Sequence, residues 1–330
     1  MDKRQKKAIV ALIIIILLII IVVLIAGCAV TRRSAGASDS AGAADSSAVV
    51  GGPAGVPGDA VASGALSVRY LELPAGGNDG LTHFAQMGGR QQRNYTMLYD
   101  PSVFASYWVA YPLCADHLGT GRTETWAYDP KIDQAQQTKV SSGSYGVNLS
   151  AEETTYSSNY YARGHQIPNA DRNGVDEMMA QTYYSTNMTP QIQNGFNGGI
   201  WAKLEAGVRA MVPQGDTLYI VTGAAFRKVG GDEAVKQIVS TRDGKTLPVP
   251  NYYWKAVLKV KRGADGQIVD AQTLGFWLPH KEVKKGTYAE YTTSVDQIET
   301  WTGFDLFPAL PDSFEESAEA NSSLETFLAW

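Results

Sequence analysis

A two-residue alternation of apolar, aromatic and β-branched side chains sets in at Ser67 and recurs almost to the C terminus, and it limits the fold more than any other feature. A period of two belongs to strands with one buried face. Residues 94–99 and 105–111 carry it and are joined through a turn at Asp100-Pro101. Residues 217–223 read as a buried strand, 252–260 alternate more clearly, and 273–278 follow a turn at 263–266. Residues 68–73 add a short strand. Helical spacing lies between and after them: a short helix over 176–183, a longer one from near Gly195 towards Ala210, and an acidic one around 315–327. Residues 119–130 form a polar loop. There is no internal repeat. Many strands with helices inserted among them predict one α+β domain over residues 67–330, built on a central, mostly antiparallel sheet flanked by helices.

The first 66 residues have a different texture. Lys3, Arg4, Lys6 and Lys7 form a cationic head before an uncharged run from Ala8 to Ala26, which ends in Leu24-Ile25-Ala26-Gly27-Cys28. That ending resembles a bacterial lipobox: small residues let a peptidase reach the bond before Cys28, whose thiol takes the lipid. The run is also nearly long enough to span a bilayer, so an uncleaved transmembrane helix is the alternative, with Arg32 and Arg33 blurring the charge asymmetry that would orient it. Residues 1–28 are thus a lipoprotein signal or membrane anchor, and either version places the domain outside the cytoplasm. Residues 29–66 are a flexible tether. From residue 34 they are almost entirely Ala, Gly, Ser, Asp, Val and Pro, which cannot bury enough surface to offset ordering.

Charge and cysteine content narrow the function. Beyond residue 66 the chain has 22 basic and 29 acidic residues, a net of −7. A protein that holds nucleic acid by charge density alone is excluded, although an enzyme that must release a polyanionic product needs only a local cationic groove. Cys28 and Cys114 are the only cysteines, so there is no disulfide framework, and Cys114 reads as a buried small hydrophobe. His83, His117 and His280 follow no metal-ligand spacing and read as surface or satisfied core histidines.

Chemistry-bearing residues concentrate between 160 and 205. The stretch opens with Ala162-Arg163-Gly164-His165 and continues through Pro168 and Asp171-Arg172. It then runs through Ser185-Thr186-Asn187-Met188-Thr189-Pro190-Gln191 and closes on Asn197, Trp201 and Glu205. Imidazole accepts protons near neutral pH, which suits His165 to activating a water. Arg163, two residues away, points to the same face of a strand, where a guanidinium can clamp a phosphate oxygen. Gly164 between them leaves room for a substrate backbone. Glu205 lies eight residues beyond Asn197, roughly 80° around a helix and roughly 12 Å along it, too far to share one cation directly. Trp201 reads as packing, and Asp171 with Arg172 as a structural ion pair.

These segments resemble the active site of the DNA/RNA non-specific endonucleases, whose ββα-metal (His-Me) finger carries the catalytic groups. The resemblance extends to Trp108-Val109-Ala110-Tyr111, to Val221-Thr222-Gly223 and to residues 298–308, and it covers residues 67–316. It implies a sugar-non-specific endonuclease that hydrolyses DNA and RNA through the phosphate backbone and leaves 5′-phosphates. It implies His165 as general base and Asn197 as the one direct protein ligand of Mg²⁺, with Mn²⁺ as a substitute. Asn187 would orient His165 or the substrate, and Glu205 a metal-bound water or the positioning network. The usual motif reads Asp-Arg-Gly-His, so Ala162 removes an acceptor near the base, and Arg122 takes the place of a phosphate-contacting arginine. The alternative reading is a catalytically weakened nucleic-acid-binding lipoprotein.

Overall fold

Seven alternating segments pair into one antiparallel sheet. In chain order its strands are β1 (Leu81–Met87), β2 (Arg90–Asp100) and β3 (Ala105–Leu113), then β7 (Leu218–Ala225), β10 (Tyr252–Arg262), β11 (Ile268–Pro279) and β12 (Thr292–Thr293), and they lie side by side in that order. The computed structural model describes residues 70–139 and 142–330. The expected signal or anchor (1–28) and tether (29–66) therefore lie outside the described residues. Among the described residues no helix is long and apolar enough to cross a membrane.

Alternation gives the sheet two apolar faces. On one, Trp108, Gly223, Trp254 and Trp277 form a row across four adjacent strands. Gly223 is required there because a Cβ would stand 2.3 Å from the Trp254 ring and 2.5 Å from the Tyr107 carbonyl. Three helices close the chain: α3 (Val295–Thr302), α4 (Asp312–Glu319) and α5 (Leu324–Ala329). Val295, Ile298, Leu306, Phe307 and Ala318 from this part of the chain cover the tryptophan row. α3 starts where the Ser294 hydroxyl accepts from the Gln297 amide at 3.1 Å and stops at Gly303 in the left-handed region.

The other face carries the functional half of the molecule. A three-stranded sheet of β4 (Ser144–Asn148), β5 (Tyr160–His165) and β6 (Met188–Ile192) lies over it, with α1 (Asp176–Gln181) between β5 and β6. An irregular helical segment, Gln193–Trp201, follows β6 and runs into α2 (Ala202–Ala210). β5, β6 and this helical stretch form a ββα unit. Tyr253 of β10 fastens it down, its hydroxyl lying 3.0 Å from Thr189 Oγ1 and donating to the Pro190 carbonyl at 2.8 Å. Phe196, Trp201 and Leu204 join Tyr111, Ile220, Val257 and Phe276 of the sheet in the main core. A hairpin of β8 (Gln237–Val239) and β9 (Thr246–Pro248) completes the strands.

The structure departs from expectation in three elements. Val68 and Arg69 lie outside the described residues, and Tyr70–Leu73 is a turn, not a strand. Leu71 and Glu72 are both buried, which period two forbids, and Glu72 pairs with buried Arg93. The acidic helix is two helices, α4 and α5, because Ser323 caps a new start by accepting from the Thr326 amide at 3.2 Å. The helix expected from Gly195 to Ala210 breaks at Gly199 (φ −126°, ψ −110°). The three histidines outside the motif are engaged within the fold, although the buried Nδ1 of His83 has no hydrogen-bond partner among the described residues. His83 meets Asp129 at 2.9 Å, the His117 ring accepts from the Cys114 amide at 3.3 Å, and His280 accepts from the Ile192 amide at 2.8 Å. Cys114 is a half-buried free thiol.

Trp201 is 1 % exposed, stacks on Phe196 at 5.9 Å and carries the Lys255 ammonium over its ring. Trp201→Ala should therefore cost about 3–5 kcal/mol in a urea unfolding titration, and a cost under about 1 kcal/mol would show that the helical stretch is not held by this core.

Candidate active site

β5 ends at His165, on the rim of a cleft of about 440 Å³ that is also lined by Arg122, Trp126, Asn197, Glu205 and Arg209. The His165 ring meets Tyr183 edge-on at 5.0 Å and Trp126 at 5.7 Å. Its Nε2 is buried and has no hydrogen-bond partner among the described residues. Burial, and then the nearby Arg122 charge, push its pKa down to about 3. The imidazole is thus neutral at ordinary pH and able to accept a proton.

Asn187 lies fully buried behind this ring. Its carbonyl oxygen accepts from the Ile167 amide at 3.0 Å, and its amide nitrogen donates to the carbonyls of Ile167 (2.9 Å) and Thr182 (2.8 Å). Asn187 therefore fixes the chain just past His165 and has no face towards a substrate. Arg163 is also 2 % exposed. Its guanidinium donates to Thr138 Oγ1 at 3.0 Å and to the Lys139 carbonyl, and it lies over the Tyr145 ring at 4.4 Å. It ties β5 to the 138–139 segment in place of the open phosphate clamp expected from its spacing. The cation exposed at the cleft is Arg122, 3.7 Å from Glu124, with both side chains more than half exposed.

Gly164 serves a different neighbour from the one expected. A Cβ there would stand 2.1 Å from the buried Gln191 side chain, so the glycine makes room for β6 and not for a substrate backbone. Ala162 pairs with Gln191 and Gly164 with Thr189, so positions 162 and 164 share the face turned to Tyr253. Strand alternation puts Ala162 opposite His165, and a carboxylate at 162 would not sit beside the base. Asp171 is ion-paired with Arg209 at 2.9 Å and accepts from Tyr111 at 2.8 Å. Arg172 instead donates to Asn94 Oδ1 at 2.6 Å and to backbone carbonyls, which corrects the expected Asp171–Arg172 pair.

Asn197 sits half-buried on the irregular segment and donates from Nδ2 to Gln193 Oε1 at 2.8 Å. That bond commits the nitrogen end of the amide and leaves Oδ1 as the end available to a cation. Glu205, one turn into α2, lines the same cleft. The break at Gly199 removes the straight helix on which their separation was reckoned, so the two oxygen donors share one cavity. Burial pushes the Glu205 carboxyl up, the Lys255 charge opposes this, and Asp171 adds to the rise. Lys255 is itself buried, pushed down by burial, and donates to Thr222 Oγ1 at 3.0 Å. A carboxylate disfavoured by burial beside an amide oxygen is a donor set that fits a hard divalent cation.

Sequence reasoning missed Glu282. Its carboxylate accepts from the Thr155 amide (2.9 Å), the Thr155 hydroxyl (2.7 Å), Asn159 Nδ2 (2.7 Å) and the Thr154 hydroxyl. Asn159 in turn accepts from the Asn194 amide at 2.8 Å and donates to the Asn194 carbonyl at 3.1 Å. This chain of bonds anchors the start of the segment that carries Asn197. A lone glutamate more than 120 residues from its partners leaves no local signal. Lys255 was hidden likewise, as one of several basic residues along β10.

Two measurements check this geometry. The His165 imidazole should stay neutral in an NMR pH titration until well below pH 5. Its folded pKa lies below the unfolded 6.5, so this site lends stability above pH 6.5 that is lost as pH falls towards about 3. A midpoint between 6 and 7 would contradict the buried ring. Glu282→Ala should speed amide exchange across Gln193–Trp201 on the order of tenfold, and unchanged exchange would remove Glu282 from the anchor.

A model of the DNA/RNA non-specific endonucleases matches residues 80–313. The chain is 27% identical over 228 residues to a nuclease of Serratia marcescens, covering 68% of this chain and 77% of the relative. It is 24% identical over 226 residues to nuclease C1 of Cunninghamella echinulata var. echinulata, covering 67% and 82%. The crystal structure of the EndoG/EndoGI complex shares the fold, with a TM-score of 0.52 at 20% identity over 70% of this chain and 88% of that one. With the family model spanning both the central sheet and the ββα unit, this chain belongs to the DNA/RNA non-specific endonuclease family, hydrolases that act on nucleic acids.

Proposed function

We propose that this protein is a divalent-metal-dependent, sugar-non-specific endonuclease that cleaves the phosphodiester backbone of DNA and RNA outside the cytoplasm. The observation that carries the reading is a neutral His165 imidazole lining the same cleft as Asn197. The His165 imidazole takes the proton from a water as its oxygen attacks phosphorus and the P–O3′ bond breaks, the leaving 3′-oxygen taking a proton from solvent. Tyr183 and Trp126 hold the ring in place. Arg122 and Arg209 bring positive charge to a phosphate in the cleft, and Arg122 is the more exposed of the two. Asn197 Oδ1, with Glu205 nearby, would hold Mg²⁺ or Mn²⁺, which when bound neutralises charge on the phosphoryl and leaving oxygens. Contacts made to the phosphate backbone carry no sequence information, which is consistent with acceptance of either sugar.

The alternative of a weakened binding protein draws on Ala162 alone, and strand alternation turns that position away from His165. The cationic head, the uncharged run and Cys28 support an exported enzyme anchored at the membrane by lipid on Cys28, or by an uncleaved transmembrane helix in the alternative, with residues 29–66 as its tether. The full chain, purified in detergent, should nick plasmid and degrade RNA in Mg²⁺ and stop in EDTA. His165→Ala and Asn197→Ala should each lower the rate roughly 10²–10⁴-fold with an unchanged unfolding midpoint. Retained activity in folded His165→Ala protein would refute the mechanism.

A further inference from the structure

A second set of oxygen donors lies on the opposite face of the central sheet, between α3 and α4. Carboxylate oxygens of Asp296, Glu299 and Glu319 all lie within 4.8 Å of one another. Asp296 and Glu299 are three residues apart on α3 and so share a face. Glu319 ends α4 and is 4 % exposed, and its Oε1 is buried with no hydrogen-bond partner among the described residues. An orphaned buried carboxylate is rare and costly.

Among the described residues no basic side chain forms an ion pair with it. The charges that bear on Glu319 come from Glu299, Glu315, Asp296 and Asp305, and every one is negative. Glu299 faces Asp305, Asp296 and Glu315 and accepts one backbone bond, from Leu306 at 2.6 Å. Glu319 also stands at the C-terminal end of its helix, where the helix dipole disfavours an anion and favours a cation. Burial, like charge and dipole thus all act in one direction, and one bound cation relieves all three.

We propose that Asp296, Glu299 and Glu319 form a calcium-class cation site that clamps α3 to α4, remote from the catalytic cleft. Oxygens on one Ca²⁺ sit about 2.3–2.6 Å from it and so lie no more than about 5 Å apart, whereas Mg²⁺ holds its ligands at about 2.0–2.1 Å. Carboxylate oxygens within 4.8 Å of one another lie inside the reach of a Ca²⁺ ligand shell. Burial and then Glu299 push the Glu319 carboxyl up to about 9, and burial pushes Glu299 up to about 7. The site ties the closing helices to the tryptophan row they cover, so its effect is on stability and not on the chemical step.

The test is thermal unfolding of the EDTA-stripped full chain with added Ca²⁺, for the parent protein, Asn197→Ala and Glu319→Gln. The parent and Asn197→Ala should both gain about 5–10 °C at saturating Ca²⁺. Glu319→Gln should gain nothing, while melting in calcium-free buffer at or above the parent because a buried charge has been removed. Should Glu319→Gln fail to fold, Glu299→Gln carries the same comparison. A parent protein indifferent to millimolar Ca²⁺ would mean that the carboxyls share protons only, and the proposal falls. An equal gain in Glu319→Gln would overturn it, and an equal gain from Mg²⁺ would overturn the calcium assignment.

Discussion

The contact on which the functional half depends is the docking of β6 onto the central sheet by Tyr253. Its hydroxyl meets Thr189 Oγ1 and the Pro190 carbonyl in a fully buried setting, where two satisfied hydrogen bonds fix a register and a distance that apolar packing alone would leave loose. β5 is registered on β6, with His165 opposite Met188, so the position of the imidazole follows from that docking. The chain leaves β6 directly into the segment that carries Asn197. One anchorage therefore sets both sides of the cleft.

Charge under the cleft is arranged to be incompletely balanced. Asp171 is satisfied by Arg209 and Tyr111, whereas Glu205 senses the Lys255 charge with no hydrogen bond between the two. A fully neutralised network would be a structural brace. A carboxylate still disfavoured by burial gains from a cation, and that residual imbalance separates a cation site from a salt bridge. His165 is the complementary case, with its charged form disfavoured so that the neutral base is the resting state.

Much of this was legible in the sequence, and the parts that were not share a cause. Strands β2, β3, β7, β10 and β11 follow period-two alternation, a local property, and the motif placed His165, Asn197 and Glu205 around one cleft. Spacing misled where tertiary contacts decide. Arg163 shares a strand with His165, yet Thr138 and Lys139 capture its guanidinium, and no rule of strand alternation reports who waits on the other side. Gly164 answers to Gln191, Asp171 to Arg209, and Asn197 to an anchor that ends at Glu282. Straight-helix geometry does not describe the path between Asn197 and Glu205, because Gly199 leaves helical geometry between them. In each case the decisive partner is remote in sequence, and a single chain without its fold gives no means of finding it.

The account stands or falls on one cation meeting both segments in one cleft. Locating Mn²⁺ by anomalous scattering in crystals of the His165→Ala protein with a short oligonucleotide tests this most directly. The ion is expected in contact with Asn197 Oδ1 and a backbone phosphate, with the vacated imidazole position facing phosphorus from the other side. A cleft ion held away from Asn197, or a phosphate that leaves position 165 out of reach of the reacting phosphorus, would contradict it.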